Sequence, residues 1–264
     1  MNRRDIPGYL LADPVAPEMT WEMGSLGSTV LALQGGNPEV LEKMADCYAE
    51  RFRKGWRDLR EGIAVFMAPS YVHERESRAS GGLVESLGAA MGLVVVALAS
   101  TTVRGRAEGR RGDPDESFYV GAKAERLLAM ERSGVDDAEI EAWVGRTPVD
   151  LVVEVEHTHY DGAKRGIYRD AGVAELWEIA TPRSGKEAVI IDLQAIGRAS
   201  VIESSEVVPG VWADGLVDAL RLLRELGGYG EFMRAVERAD PVVEQLLSAA
   251  RAGEADRETG QEGP

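Results

Sequence analysis

Pro148-Val-Asp-Leu-Val-Val-Glu-Val-Glu156 is the stretch on which the fold turns. Its centre, Leu151-Val-Val153, is apolar and β-branched, and Pro148 interrupts any helix running into it. The segment Val149–Glu156 therefore reads as a strand. Side chains alternate along a strand, so Glu154 and Glu156 point to the same face. Two carboxylates side by side raise each other's pKa, and partial burial adds to the cost of charging them. A hard divalent cation removes that penalty, because Mg²⁺ prefers carboxylate oxygens, water and phosphate. The plainer reading of the two acids is a solvated strand end with an ordinary negative patch.

Working outward, Gly162–Ala171 reads as a helix ended by Gly172 in the left-handed conformation. Glu175–Ala180, Ala188–Leu193 and Arg198–Ile202 read as three further strands. Upstream lie a strand at Gly62–Ala68 and a helical stripe of Ser80, Leu83, Val84, Leu87 and Ala90 within Ser70–Met91. Leu93–Leu98 and Ser117–Gly121 read as strands, and Lys123–Val144 as a charged amphipathic helix or helix pair. Strand and helix alternate and then close in a meander. The fold class is α/β, an α+β mixed sheet flanked by helices.

The flanks carry weaker signals. Residues 1–36 read as an irregular arm with a short helix around Gly24–Leu33. Asn37-Pro38-Glu39 starts a helix running to about Arg53, with Asn37 as N-cap. Two C-terminal helices are expected, Asp214–Glu225 and Tyr229–Ala250, before a polar tail expected to be disordered. The organisation is thus an arm and helix over 1–59, a core over 60–212, helices over 213–250 and a tail over 251–264. No internal repeat is present.

The 264 residues suit one ordinary domain with extensions, and hydrophobic content of 44% and charged content of 28% are those of a globular protein. The longest apolar run, Leu87–Ala99, is too short for a bilayer span, so no membrane association is expected. Asp5, Pro7 and Asp13 fall where a signal peptide needs an apolar stretch. The single cysteine, Cys47, excludes an intramolecular disulfide and reads as a small buried hydrophobe on its helix. A cytoplasmic location is expected. The net charge of −15 opposes binding to DNA, so a nucleic-acid role requires a local basic patch, a bound metal or a basic partner.

A third acid, Asp115, precedes the strand at Ser117–Gly121, within Asp113-Pro-Asp-Glu116. If the two strands pair, Asp115, Glu154 and Glu156 meet at one end of the sheet. Lys164 opens the helix after the acidic strand and can swing its ammonium back toward the carboxylates. Metal-assisted phosphodiester hydrolysis uses such a set: carboxylates for the metal, and a cation near the attacking water or scissile phosphate.

Pro114-Asp115, then Phe118-Tyr-Val120 and Val149–Glu156, resemble the PD-(D/E)XK nuclease signature. The longer frame adds Glu61-Gly62, Met67-Ala-Pro-Ser70 with His73, then Lys164, Tyr168, Gly172-Val-Ala-Glu-Leu-Trp177 and Val208-Pro-Gly210. This frame is similar to the Uma-type family of bacterial restriction endonucleases and spans roughly residues 60–220. The resemblance implies a restriction-endonuclease-like core, with Asp115 and Glu154 as ligands of Mg²⁺, or of Mn²⁺. Glu156 stands where the superfamily motif carries lysine, and the resemblance makes Lys164 its replacement. The catalytic set so implied is Asp115, Glu154, Glu156 and Lys164, acting on phosphodiester bonds in DNA. The alternative is a non-catalytic module that keeps the fold for binding or assembly, with homodimerisation through the extra helices.

Other residues carry less. His157 and His159 lack a third ligand for a zinc site and read as a polar strand end or loop. His73 reads as a helix-start residue, with approach to the acidic site as its alternative. Trp177 and Tyr168 read as core packing. The Arg104–Arg111 segment, four arginines against one glutamate, reads as a polar loop and is the best candidate for phosphate contact.

Overall fold

A computed structural model describes residues 18–23, 29–35, 37–49, 52, 54–156, 162–180, 188–195, 199–238 and 240–251. The expected arm over 1–17, the tail beyond 251, and His157 and His159 lie outside the described residues, as does the side chain of Cys47.

The chain opens with β1 (Glu18–Met23), β2 (Thr29–Gln34), α1 (Pro38–Ala49), β3 (Lys54–Asp58) and β4 (Ile63–Ala68). It continues through α2 (Tyr71–Met91), β5 (Val95–Ala97), β6 (Val103–Arg104), β7 (Arg110–Gly112) and β8 (Glu116–Val120). Then come α3 (Ala122–Arg132), α4 (Asp137–Val144), β9 (Leu151–Glu156), α5 (Gly162–Ala171), β10 (Glu175–Ala180), β11 (Ala188–Asp192) and β12 (Ser200–Ile202). The last elements are α6 (Ala213–Leu226), α7 (Tyr229–Glu237) and α8 (Val242–Ala250).

The architecture is mixed α and β, with two sheets. The first runs β1-β2-β4-β3-β7-β6, and every neighbouring pair in it is antiparallel. The second runs β12-β11-β10-β9-β8-β5 and is mixed, because β9 and β10, joined through α5, are parallel. That crossover is what a helix between two strands of one sheet produces.

The pleat of β9 sorts the core. Leu151 and Val153 face one layer, with Leu83, Val84 and Leu87 of α2 and with the C-terminal helices. Val152 faces the other, with Tyr119, Tyr168 and Leu176. A strand buried on both faces needs an unbroken apolar run, and Leu151-Val-Val153 provides one. The first sheet has its own core, in which Leu31, Leu33 and Phe66 meet Leu41, Met44 and Tyr48 of α1.

Several expectations need correction. Residues 29–33, expected within a short helix, form β2, and β1 lies beside it in a region expected to be irregular. β2 is paired on both edges, and its Leu31 and Leu33 lie in the core against α1. The first helix is described over Pro38–Ala49, and β3 follows unannounced at Lys54. The Arg104–Arg111 segment is no simple loop, since its ends enter β6 and β7. The long C-terminal helix is broken into α7 and α8 around Asp240-Pro241, proline lacking the N–H an interior turn requires. Lys123–Val144 is a pair, α3 and α4, with Asp136 capping the second helix through Ala138 N.

Candidate acidic centre

The second sheet brings three of the four candidate residues together. In the β8–β9 ladder Glu116 opposes Val153 and Ser117 opposes Val152. One residue further along, Asp115 comes opposite Glu154, and its Oδ2 accepts from Val155 N at 2.7 Å. Glu154 in turn pairs in register with Glu178 of β10. Asp115, just before β8, thus forms a row across the sheet with Glu154 of β9 and Glu178 of β10.

Helix α5 supplies the cations. Lys164 and Tyr168 are one turn apart and share a face. Lys164 Nζ donates to Glu154 Oε2 at 2.7 Å, and the Tyr168 hydroxyl donates to Glu154 Oε1. Arg165, beside Lys164, donates to both oxygens of Glu178 at 2.8 and 2.6 Å. The helix is therefore stitched to β9 and β10 by charge-assisted bonds, the strong class of hydrogen bond.

Asp115 is held from two further directions. Lys54 Nζ, from β3 of the first sheet, donates to Asp115 Oδ1 at 2.6 Å. His73 Nε2 lies 3.3 Å from Asp115 Oδ2. The start of α2 aims this histidine: Ser70 Oγ caps the helix by accepting from His73 N, which fixes the first turn. Approach to the acidic site, the alternative for His73, is the arrangement adopted. Tyr168 is wholly buried as expected, but its hydroxyl belongs to the centre.

The centre is closed. Asp115 and Glu154 are each 3% exposed, Lys54 is 5% and Lys164 6%. Buried charges persist only when paired and hydrogen-bonded, and here two carboxylates meet two ammonium groups. Burial works to raise the pKa of Asp115, but the His73 hydrogen bond and the charges of Lys54 and Lys164 outweigh it and hold the carboxyl well below the usual range. Glu154 moves the other way. Burial pushes it up and Asp115 adds to that, while Lys164 and the Tyr168 hydroxyl act against it. Glu116 faces α2, with Ser77 Oγ 3.4 Å from its Oε1, and burial raises it to about 7 against the pull of Lys54 and Arg78.

No family model and no curated protein matches this chain. Its chemistry is read from the centre itself.

Asp115, Glu154 and Lys164 are assembled. Glu156 ends β9 in register with Ala180, and its side chain lies outside the described residues. Among the described residues no three His, Cys, Asp or Glu side chains converge as a metal cage. The donor set still suits a hard cation: two opposed carboxylates supply oxygen ligands, and a third carboxylate oxygen, Glu74 Oε1, is buried without a hydrogen-bond partner, 4.0 Å from Lys54 Nζ. The two ammonium groups now neutralise these acids. Lys54 escaped sequence reasoning altogether, and Glu74 entered it only as the neighbour of His73. The one available signal for Lys54 was a lysine between Arg53 and Gly55, two residues from Phe52 and Trp56, in a run with no hydrophobic period.

Proposed function

We propose that the protein is a metal-dependent phosphodiesterase with a restriction-endonuclease-like core, acting on DNA. The observation that carries this reading is the convergence of Asp115 with Glu154 and Lys164, which lie some 40 residues further along the chain, at one end of a mixed sheet. The resemblance of the ordered motifs to the Uma-type family, which includes these same residues, points the same way.

In this reading Asp115 and Glu154 hold Mg²⁺ or Mn²⁺, which when bound polarises the phosphoryl oxygens and lowers the pKa of the attacking water. Lys164 is released from Glu154 to stabilise charge developing on the phosphate. Tyr168 keeps Glu154 oriented, and the backbone N–H of Val155 keeps Asp115 oriented. Lys54 supplies a second cation where Glu156 replaces the lysine of the motif.

A second reading has its own observation. Carboxylates only 3% exposed, each already paired with a lysine, suit a non-catalytic module in which the quartet ties the two sheets together.

A plasmid-nicking assay across a Mg²⁺ and Mn²⁺ titration decides between the two, using wild type, Glu154→Ala and Asp115→Asn. Metal-dependent nicking by wild type alone supports the phosphodiesterase. Equal nicking by all three exposes a contaminant and defeats it, and metal binding with no nicking favours the module.

A further inference from the structure

Three arginines stand in one cross-strand row of the first sheet. Arg57 of β3 opposes Arg111 of β7, and Arg111 opposes Arg104 of β6. Like charges placed directly opposite across strands destabilise a sheet, so a row of three requires compensation. Part of it comes from α1: Arg57 reaches Asp46 at 2.8 Å and Glu42 at 3.3 Å, and Arg111 reaches Asp46 at 3.3 Å.

The partners are unequally fixed. The Arg57 side chain is 10% exposed, whereas those of Asp46 and Glu42 are 57% and 48% exposed. Exposed acids are screened and weakly held, so they give way to a better anion. The guanidinium of Arg57 stays behind them, and its Nε is buried with no hydrogen-bond partner. Burial and the charge of Arg57 pull Arg111 below the usual arginine range, with Arg104 adding to the effect and Asp46 and Asp113 opposing it.

Arg57 and Arg111 line a cleft of about 270 Å³, together with Lys54, Ser100, Thr102 and Asp113, the last accepting from the Thr102 hydroxyl at 2.6 Å. The apolar rings of Phe52 and Phe66 form part of its wall, which strengthens charge interactions inside it. Two guanidinium forks and the Ser100 hydroxyl around a concave space match a tetrahedral oxyanion, their charge outweighing that of the single acid, Asp113.

We propose that this cleft is a phosphate subsite that holds the backbone of a nucleic-acid strand beside the acidic centre. Lys54 is the shared wall, lining the cleft while donating to Asp115. The subsite also provides the local basic patch that a chain of net charge −15 needs before it can bind nucleic acid. Naming the ligand a nucleic-acid strand rests on the phosphodiesterase reading; binding of phosphate does not.

The test omits metal, so that binding and turnover are read separately. A short fluorescein-labelled single-stranded DNA is titrated by anisotropy in EDTA with wild type, Arg111→Ala and Arg104→Ala, with inorganic phosphate as competitor. Wild type should bind the strand and phosphate should displace it. Arg111→Ala should weaken binding about tenfold, as loss of a charge-assisted bond does. Arg104 stands next to Arg111 in the row but outside the cleft lining, so Arg104→Ala should weaken binding less than Arg111→Ala does. Arg104 is exposed, so Arg104→Glu keeps the test valid if Arg111→Ala does not fold. Failure of wild type to bind either probe, or affinities unchanged in every variant, overturns the subsite. Phosphate binding without DNA binding overturns the nucleic-acid assignment in favour of a small phosphate ligand. Binding that depends on Arg111, in a protein that never nicks DNA, supports the subsite and counts only against the phosphodiesterase.

Discussion

Lys54 Nζ donates to Asp115 Oδ1 at 2.6 Å across 61 residues of chain, joining β3 of the first sheet to the acidic end of the second. Both groups are almost fully buried, so each is tolerable only because the other is present. Removing one partner of such a pair typically costs about 3–5 kcal/mol, while removing both costs less. Lys54→Met should therefore lower the unfolding free energy read from urea melts by an amount within that range. The double variant Lys54→Met/Asp115→Asn should recover part of it, because the side-chain amide introduced in place of Asp115 can still accept from Val155 N. Additive losses in the double-mutant cycle would show that the two side chains act separately.

The proposed metal site predicts ligand-linked stability. A cation bound only by the folded protein stabilises it by about 2.7 kcal/mol at a hundredfold excess over its dissociation constant. For a chain of this size that amounts to roughly 5–10 °C in Tm. Mg²⁺ or Mn²⁺ should raise the wild-type Tm, EDTA should reverse the rise, and Glu154→Gln should abolish it. A rise of equal size in Glu154→Gln would place the cation elsewhere on this acidic surface. Differential scanning fluorimetry reads all three arms.

How much of this was legible beforehand depended on sequence distance. The β9 strand announced itself through Leu151-Val-Val153, and Lys164 could be tied to Glu154 because only ten residues separate them. The first sheet gave no such signal. Lys54-Gly-Trp-Arg-Asp58 carries three charges and a glycine in five residues, yet all five are buried. They are buried because each charge meets a partner on another element or loop: Lys54 meets Asp115, Arg57 meets Asp46 and Asp58 meets Arg110. Hydrophobic period cannot reveal a strand whose burial depends on ion pairs. His73 was visible as a helix-start residue, but its approach to Asp115 depended on how α2 lies against β8. Gly81 of that helix sits against the Glu116 side chain, a contact decided entirely by packing.

Glu116 gives a pH signature. Its carboxyl is raised from 4.5 to about 7, chiefly by burial, so between those values the folded protein keeps a proton that the unfolded chain has lost. Stability must then fall as pH rises through that window. Asp115 has the opposite sign: its folded pKa is depressed, so its contribution is present above the unfolded value of 3.8 and lost as pH falls through the folded value. Glu116→Gln removes only the first effect. Wild type and variant should have matching urea midpoints near pH 4.5 and should diverge up to pH 7, with the variant the more stable. A difference that stays constant across this range would remove Glu116 as the titrating group.

Two glycines on the C-terminal helices should respond to alanine in opposite directions. A Cβ at Gly215 in α6 would fall on the carbonyl oxygens of Ala249 and Ala250, at the end of α8. The same junction is closed by Trp212 N donating to Ala250 O at 2.8 Å, so the two helices cannot separate without breaking it. The obstacle is backbone and cannot rotate away. Gly215→Ala should cost about 1–3 kcal/mol, the usual range for overpacking, and fall near its top. Gly230, in the first turn of α7, has nothing within 4 Å of where its Cβ would lie. Gly230→Ala removes freedom only from the unfolded chain and should stabilise by about 0.4–1 kcal/mol. Urea melts of the two single variants check both signs. If Gly215→Ala matched wild type, the close crossing of α6 on α8 would be wrong, whatever the nuclease assays return.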